Sequence, residues 1–495
     1  MLSSDESIVV IGGGFGGLST ACYLADAGAD VTLVEKNDQL GGRASVLERD
    51  GFRFDMGPSW YMMPDAFERF FGDFGRKPED FYGLEQLDPN YRIFFKDGDR
   101  VDISPDLDDL KRTFESYETG AGETLEAYLD QAEQNSDILM EHFIYEDRTR
   151  LRDWLDPSLV RHLWGLSPLT GSMQDLVDEH FDHHKLKKII HNSTLVMGGT
   201  PENLPGLYSL MNHVDLNLGV YYPEGGIGGV VDGMVELGES LGVEYVTDAP
   251  ATAIRGRRGA FTVETGSGAF EADVVVSNAD YAHTEQELLP PENRGFDADY
   301  WEDRTYTPSC YLLYLGVEGD IDELAHHTYV LPDDWDRHFE QVFHDPEWPE
   351  DPIYYVCVPS KTDDTVAPDG HSALFLLSGI APGLDDGPEK RETHRNRLLD
   401  DLAENTGCDV RDRIVFEEQF AVSDFVDRYN SMLGTAFGLA HTLDQTPPLR
   451  PPHRSKALDG LYFTGHYTAP GLGVPMCVIS GKVCAEKVVA DAPSA

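Results

Sequence analysis

The first forty residues alternate between uncharged apolar runs and a glycine-rich turn. Residues 8–11 are β-branched and uncharged, which predicts a strand buried on both faces of a parallel sheet. Residues 18–28 carry small and apolar side chains at helical spacing, and residues 30–35 form a second apolar run that ends in an acid. The pattern predicts a strand, a helix and a second strand, the unit with which a doubly wound α/β sheet begins.

The turn between the first strand and the helix has the spacing G-x-G-x-x-G. In such a unit Gly12 permits a tight turn, Gly14 leaves room for a pyrophosphate, and Gly17 lets helix and strand pack closely. The helix N-terminus is partially positive, and the acid that ends the second strand can accept hydrogen bonds from ribose hydroxyls. The unit predicts a dinucleotide site, for NAD or FAD, formed by Gly12, Gly14, Phe15, Gly16, Gly17, Glu35 and Lys36.

A second glycine pair, Gly41 and Gly42, follows almost at once and precedes Arg43. Such a pair permits another close approach of the backbone, and the guanidinium can lie beside phosphate or flavin. Glycine pairs are common in a chain with 48 glycines, so a simple turn is the alternative. Together with the preceding unit, the pair resembles the FAD-binding signature of the amine-oxidase and carotenoid-desaturase superfamily, which favours FAD over NAD.

The later pattern predicts that the nucleotide-binding domain is assembled from separated segments. Further helices and strands are predicted at residues 229–241, 243–246, 261–264, 274–276, 458–463 and 474–489. We assign residues 1–65, 222–284 and 440–495 to this domain, and residues 66–221 and 285–439 to a substrate-binding domain. No repeat, low-complexity run or Pro/Ser-rich linker interrupts the chain, so we expect a body without mobile arms.

The sequence pattern over residues 124–191 predicts a mostly helical segment. Within them, residues 151–166 carry Leu, Trp and Val side chains that recur at three and four residues. Such a stripe is either the buried face of a helix or an apolar face that dips into a bilayer to collect a lipid-dissolved ligand. The periodicity alone favours the buried face.

Composition removes several function classes. The 495 residues include 38 basic and 89 acidic side chains, a net charge of −51 that argues against nucleic-acid binding and against electrostatic docking on anionic lipid. Only 12 of the basic residues are Lys and 26 are Arg. A dense acidic surface with little Lys is typical of a protein in a salt-rich cytoplasm, where ions screen self-repulsion, and an ordinary acidic protein is the alternative.

Cysteine spacing and apolar run lengths indicate the compartment. The six cysteines form no C-x-x-C pair and no zinc spacing, which predicts free thiols, a reducing compartment and no metal site. The sequence has no basic segment followed by a long apolar run near its start, and its apolar runs fall short of the ~20 residues of a spanning helix. We therefore expect a cytoplasmic chain.

Four further segments carry a resemblance that extends over essentially the whole chain. Residues 51–58 resemble the G-F-x-F-D-x-G-P segment of bacterial-type phytoene desaturases, residues 222–229 their aromatic-P-x-G-G-x-G loop, and residues 276–280 their S-N-A-D strand end. Residues 462–475 resemble their closing flavin-contact element, although residues 466–476 depart from the usual G-T/A-x-P-G-x-G-x-P stretch. The chain is therefore similar to phytoene-desaturase-type carotenoid desaturases of the FAD-dependent amine-oxidase superfamily.

The resemblance implies a fold, a cofactor and a reaction. The fold is α/β, with a Rossmann-like FAD-binding domain and a discontinuous α+β substrate domain that includes a helical membrane-facing part. The reaction is desaturation of a lipid-soluble C40 carotenoid, first of all phytoene towards lycopene, by hydride transfer to flavin N5, in a protein peripherally associated with the membrane. Oxygen or a membrane quinone would reoxidise the flavin.

The resemblance also implies site residues beyond the two glycine turns. Further flavin contacts are expected at Gly57, Pro58, Ser59, Gly465, His466, Gly471, Gly473, Val474 and Pro475. The substrate wall is expected to include Trp60, Tyr61, Met62 and Met63. The group that accepts the substrate proton is not visible in the sequence: Arg43, Asp55 and Lys482 lie near the cofactor by motif, and the flavin itself or a buried carboxylate can also serve.

Three alternatives stay open. The substrate can be a later intermediate, as in the 3,4-desaturases that lengthen lycopene-type chromophores. A monoamine-oxidase-like enzyme would need an aromatic cage at the flavin and often a cysteine for covalent attachment, and Cys477 lies near the right element. A lipid carrier similar to GDP-dissociation inhibitors would have lost the flavin site, against which the intact glycine turns argue.

Overall fold

The computed structural model describes residues 6–145, 171–193, 197–442, 444–446 and 449–492. These residues contain ten helices of at least eight residues: α1 (Phe15–Asp26), α2 (Pro64–Asp73), α3 (Leu107–Tyr117), α4 (Ala121–Leu139), α5 (Met173–His180), α6 (His184–Asn192), α7 (Gly226–Leu241), α8 (Pro388–Thr406), α9 (Val422–Tyr429) and α10 (Val474–Ala490). Shorter helices include Leu210–Asn212, Tyr281–His283, Ala298–Glu302 and Trp335–Phe339.

The same residues contain nineteen strands: β1 (Ser7–Ile11), β2 (Asp30–Val34), β3 (Val46–Arg49), β4 (Phe52–Asp55), β5 (Leu84–Gln86), β6 (Tyr91–Phe95), β7 (Arg100–Ile103), β8 (Tyr221–Pro223), β9 (Glu244–Val246), β10 (Ala251–Arg257), β11 (Ala260–Thr265), β12 (Gly268–Ala272), β13 (Val274–Ser277), β14 (Ser309–Glu318), β15 (His327–Leu331), β16 (Tyr354–Cys357), β17 (His371–Ile380), β18 (Ile414–Phe420) and β19 (Leu461–Phe463).

A five-stranded parallel sheet contains strands from distant parts of the chain, in the order β19-β13-β1-β2-β9. The predicted strand, helix and second strand at its centre are confirmed as β1, α1 and β2, and α1 begins at Phe15 because Gly14 is its N-cap. Val10 packs towards α1, α7 and α10, whereas Val9 packs towards the antiparallel sheet β10-β11-β12. Both faces of β1 are therefore buried, which explains why its residues are apolar without alternation.

A seven-stranded mixed sheet forms the second large layer, in the order β18-β14-β17-β16-β15-β6-β7. Only β15 and β6 pair in parallel in this sheet, so a strand from the first hundred residues joins strands that lie more than two hundred residues later. β14 is buried along nine of its ten residues because α8 covers one face and aromatic side chains of β4 contact the other.

Helices α3 to α6 cover the outer strands β6 and β7 of this mixed sheet with a single apolar cluster. The helices α4, α5 and α6 agree with the helical prediction for residues 124–191, but the predicted apolar stripe at 151–166 lies outside the described residues. In the part of the chain that is described, no helix combines the length and the apolar character that crossing a membrane requires.

Candidate functional site

The glycine turn after β1 closes tightly around the start of α1. Gly12 has φ +97°, a left-handed conformation that favours glycine. A Cβ on Gly17 would lie 2.1 Å from the carbonyl oxygen of Gly12, so only glycine lets α1 pack on the strand here. Gly14 caps α1 without a side-chain hydrogen bond, which leaves the helix N-terminus open to an anion.

Glu35 lies just beyond the end of β2 and is buried with a fixed carboxylate. Its Oε2 accepts a hydrogen bond from the Gly13 N–H at 2.7 Å, and its Oε1 accepts from the Asn37 N–H at 2.9 Å. The neighbouring Lys36 directs its ammonium group to Asn430 Oδ1 at 2.8 Å and to the Asp427 carbonyl. Glu35 is therefore held where its free lone pairs can accept hydrogen bonds from a ribose.

The second glycine pair is attached to the first turn. The Gly41 N–H donates to the Gly13 carbonyl at 2.8 Å, which places Arg43 beside the N-terminus of α1. The Arg43 guanidinium donates to Ser431 Oγ at 3.1 Å and lies 5.4 Å from the Tyr429 ring centre. Its Nε is buried without a hydrogen-bond partner among the described residues, so an open cationic donor faces this region.

One continuous cavity of about 770 Å³ connects the nucleotide turns with an apolar region of the molecule. Nineteen of the predicted site residues line it: Gly12, Gly14, Phe15, Gly16, Glu35, Lys36, Gly41, Gly42, Arg43, Gly57, Pro58, Ser59, Trp60, Met62, Met63, His466, Gly473, Val474 and Pro475. The structure thus brings together residues from four stretches of the sequence, 12–16, 35–43, 57–63 and 466–475.

Three predicted glycines lie behind the cavity wall rather than in it. Gly17 packs on the strand, the Gly465 N–H donates to Ser480 Oγ at 2.9 Å, and a Cβ on Gly471 would lie 2.4 Å from the His441 ring. These three glycines allow the close backbone packing that positions the neighbouring cavity-lining residues.

Tyr61 also lies outside the cavity lining. The backbone of Tyr61 forms a β-bridge with Tyr221, and side chains alternate across such an extended segment, so Tyr61 points away from its neighbours Trp60 and Met62. Its ring stacks on Phe67 at 4.6 Å. Met63 has φ +55°, which breaks the alternation and turns its side chain to the cavity as well.

The sequence-based candidates Asp55 and Lys482 lie outside the cavity lining as well. Asp55 accepts hydrogen bonds from the N–H groups of Ile227 at 2.8 Å and Gly228 at 3.0 Å, and so caps the start of α7. Burial raises the pKa of Asp55 to about 6, although these bonds oppose the shift. Lys482 forms an ion pair with Asp73 at 2.5 Å on the far side of α10. Of the three catalytic candidates only Arg43 lines the cavity.

A second helix N-terminus, that of α10, also meets the cavity. Gly473 is its N-cap and forms no side-chain hydrogen bond there, and Val474 and Pro475 form its first turn. His466 lies nearby, and burial together with the charges of Arg43 and Arg450 keeps its pKa well below the usual value. The wall therefore presents partial positive charge and a neutral imidazole to whatever binds between the two turns.

The other end of the cavity is apolar. Its walls are formed by side chains from the end of α4 and from later segments of the chain, among them Leu139, Met140, Met211, Val214, Phe339 and Phe343. Trp60 also lines the cavity, and its ring centre lies 5.2 Å from that of Tyr91 and 4.9 Å from that of His327. Such a channel can enclose an elongated apolar molecule and exclude water from it.

Three polar residues of this region were missed by sequence reasoning: Tyr355, His327 and Asp215. Ser59 Oγ lies 2.8 Å from the Tyr355 hydroxyl, which lies 2.6 Å from His327 Nδ1. Asp215, 1% exposed, also lines the cavity. No local pattern marks these residues, because they meet only when β15, β16 and residues near 215 pack together.

His326, His327 and Cys357 form a buried group whose potential ligand atoms lie within 4.8 Å of one another. Burial lowers the pKa of His326 to about 3 and raises that of Cys357 to about 12, so both are neutral near pH 7. His326 Nδ1 is 2.7 Å from Thr362 Oγ1. The Nε2 atoms of His326 and His327 are buried without a hydrogen-bond partner among the described residues, and the sequence-based expectation of no metal stays a prediction.

Comparisons with known proteins agree with the motifs. A family model described as flavin containing amine oxidoreductase matches residues 15–489. A carotenoid 3,4-desaturase from Haloarcula japonica is 59% identical over 489 residues, which cover 99% of both chains. A zeta-carotene-forming phytoene desaturase from Myxococcus xanthus is 32% identical over 98% of this chain and 94% of its own.

Solved structures show the same fold at lower identity. A putrescine oxidase bound to putrescine matches with a TM-score of 0.62 and 17% identity, over 98% of this chain and 99% of that one. An oxidoreductase from Methanosarcina mazei matches with a TM-score of 0.64 and 17% identity, over 97% of this chain and all of that one. These likenesses establish an α/β fold of the amine-oxidase type.

Proposed function

The chain belongs to the carotenoid desaturases of the flavin containing amine oxidoreductase family, and from that premise we propose that it is an FAD-dependent carotenoid 3,4-desaturase. The observation that carries the proposal is the 59% identity, along the full length, with the Haloarcula japonica 3,4-desaturase, against 32% with a phytoene desaturase. From the sequence motifs, phytoene is the first expected substrate and a lycopene-type intermediate the second, and these identities favour the second.

The residues that line the polar end fit FAD. The uncapped N-terminus of α1 suits the diphosphate, and the fixed carboxylate of Glu35 suits a ribose. The unpartnered Nε of Arg43 and the start of α10 supply further donors for the flavin part. When bound, FAD supplies the acceptor for a hydride and its electron pair. We propose that the nineteen lining residues include its contacts.

The apolar end fits a long polyene. A molecule without polar groups gains affinity by burying its surface, and a channel with Met62, Met63 and Met211 can adapt to its shape. We propose that the bond to be desaturated lies in the cavity beside Trp60, between its polar and apolar ends. The side chains there orient the substrate and exclude water, which protects the reacting carbons.

We also propose a peripheral association with the membrane, because a carotenoid substrate is dissolved in lipid. The net charge of −51 makes simple attraction to anionic headgroups an unsuitable means of attachment, so apolar contact is the expected one. Oxygen or a quinone is the proposed acceptor that reoxidises the flavin, and the cytoplasm is the proposed compartment. The segment boundaries given for the two domains are likewise proposals.

The test is an anaerobic assay in high salt with the FAD-loaded protein and liposomes that contain one carotenoid at a time. With a lycopene-type substrate we expect bleaching of the flavin and a red-shifted polyene spectrum, and with phytoene we expect neither. Bleaching with phytoene alone would make the chain a phytoene desaturase and overturn the proposal. Bleaching with putrescine but with neither carotenoid would support an amine oxidase. A purified protein that does not retain FAD, and is therefore colourless, would support a lipid carrier.

A further inference from the structure

Asp215 is a buried carboxylate in the wall of the substrate channel. It lies in a single π-helical turn, His213–Asn217, that directly follows the short helix Leu210–Asn212. Such turns are frequent at functional sites. Resting on the proposed function, we propose that Asp215 is the catalytic residue that accepts the substrate proton during desaturation.

The hydrogen bonds of Asp215 leave one oxygen open. The Tyr91 hydroxyl donates to Oδ2 at 2.9 Å, while Oδ1 is buried and has no hydrogen-bond partner among the described residues. Two other carboxylates among the described residues line the cavity, and in both of them each oxygen already accepts a hydrogen bond: Glu35 from the Gly13 and Asn37 N–H groups, and Asp280 from the Tyr467 hydroxyl at 2.7 Å and the His283 N–H at 3.1 Å. Only Asp215 among these three has an oxygen free to take a proton.

The groups around Asp215 are uncharged in the neutral range. Strand β6 presents Tyr91 and strand β15 presents Tyr329, and burial raises the pKa of both phenols above their usual value. On its own turn, His213 faces Asn217 and the acidic side chains of Asp65, Glu133 and Asp137 instead. With no cation beside it in the described part of the chain, burial raises the pKa of Asp215 to about 7. A base with a pKa near the working pH is the most effective kind.

Neighbours of Asp215 connect it with Trp60 in the cavity wall and with the segment before α10. The Tyr91 ring packs on Trp60, which directly follows the cavity-lining residue Ser59. The next residue, Leu216, shares an apolar cluster with Leu472, which lies just before the N-cap of α10. Asp215 therefore lines the same cavity as Trp60 and is linked to it through Tyr91, beside the position that we propose for the bond to be desaturated.

The proposed step balances in atoms and electrons. One C–H bond breaks with its electron pair, and the hydride goes to the flavin that the proposed function names. On the neighbouring carbon the second C–H bond breaks, its proton forms an O–H bond with Asp215 Oδ1, and its electron pair becomes the new π bond. The carboxylic acid then loses its proton to water when the product leaves.

The first test compares two isosteric changes in buried carboxylates. Asp215→Asn removes the base, and we expect the anaerobic rate of substrate-dependent flavin bleaching to fall about 100-fold or more, with FAD content unchanged. Glu285→Gln is the matched control, because Glu285 is fully buried with an unpartnered Oε1 among the described residues but does not line the cavity. A rate for Asp215→Asn within about threefold of Glu285→Gln overturns the inference.

A second test reads the carboxyl group directly, and so does not depend on whether Asp215→Asn folds. In infrared spectra of the wild-type protein without substrate, we expect a buried carboxyl band that disappears as pH rises through about 7. Tyr91→Phe removes the donor that stabilises the carboxylate, so the titration and the acidic limb of the pH–rate profile should both move to higher pH. An unmoved profile contradicts the inference even if the band is present.

The two proposals fail in different ways. A wild-type protein that desaturates a carotenoid at the same rate as Asp215→Asn keeps the proposed function and overturns the role of Asp215. A wild-type protein that retains FAD but bleaches with no carotenoid overturns the proposed function, and the role of Asp215 with it.

Discussion

The two ends of the cavity are built on different principles. The polar end consists mainly of backbone groups and glycines from three short local turns, with Glu35 and Arg43 as its fixed side chains. The apolar end consists of side chains from many segments, among them Trp60, Asp215 and Phe343. A site made of backbone is specified by local spacing, whereas a site made of side chains is specified by how distant elements pack. Substitutions at the two ends should therefore change different observables.

The largest effect is expected at Gly17. In Gly17→Ala the new Cβ would lie 2.1 Å from a backbone carbonyl oxygen, and backbone cannot move aside as a side chain can. If the overpacking cost of about 1–3 kcal/mol falls on the bound state, FAD affinity drops by about 5- to 150-fold, with the upper end expected here. Flavin absorbance per protein, measured after dialysis, checks this.

Gly72→Ala is the control for this change, because Gly72 is exposed near the end of α2 and a Cβ there meets no atom within 4 Å. It should keep its FAD and unfold at the same or a slightly higher temperature. Equal FAD content in the two variants would show that close packing at Gly17 does not matter for the cofactor.

At the apolar end, Trp60→Ala should lower the activity and leave the FAD content unchanged. Removing the ring eliminates about 1.5–3 kcal/mol of apolar contact with the substrate, so kcat/KM should fall about 30-fold while FAD content stays normal. Steady-state kinetics in liposomes, with flavin content as the second readout, check this. The neighbouring Tyr61→Phe, whose ring faces the core, should leave kcat/KM unchanged. If instead Trp60→Ala loses its FAD, the separation of the two ends is wrong.

A smaller effect at the polar end is expected from Glu35→Ala. The carboxylate holds the N–H groups of Gly13 and Asn37, and charged hydrogen bonds of this kind contribute about 1.5–3 kcal/mol each. We expect FAD affinity to fall about tenfold, measured by titration of the apoprotein, with the substrate preference unchanged. Undiminished affinity would show that Glu35 does not contact the ribose.

The smallest effect is expected from Lys482→Met. The ion pair with Asp73 lies outside the cavity lining and is partly exposed, so its loss should cost less than about 1 kcal/mol of folding stability. FAD content and the pH–rate profile should match the wild-type protein. A lost or shifted activity would return Lys482 to the list of catalytic residues.

The difference between a site built from local backbone turns and a site built from distant side chains explains what the sequence could and could not predict. Local patterns were sufficient for β1, α1 and β2, and for both glycine turns, because neighbouring residues make those contacts. The direction of the Tyr61 side chain could not be predicted from local sequence because it depends on a bridge to Tyr221, a residue 160 positions later. The hydrogen bonds of Asp55 to the start of α7 could not be predicted either, because the sequence alone does not distinguish a capping carboxylate from a catalytic base. No local sequence pattern marks Asp215 as a functional residue.

The segment from Asp55 to Tyr61 has a consequence for how such proteins diversify. It is fastened at both ends to one region of the chain, through the cap on α7 and the bridge to Tyr221. One wall of the channel is thus a fixed platform, while the facing wall is contributed by separate segments such as 139–144 and 339–343. Mutations in the facing wall can alter which polyene fits without loosening the cofactor, so new pigments can evolve on an unchanged redox scaffold.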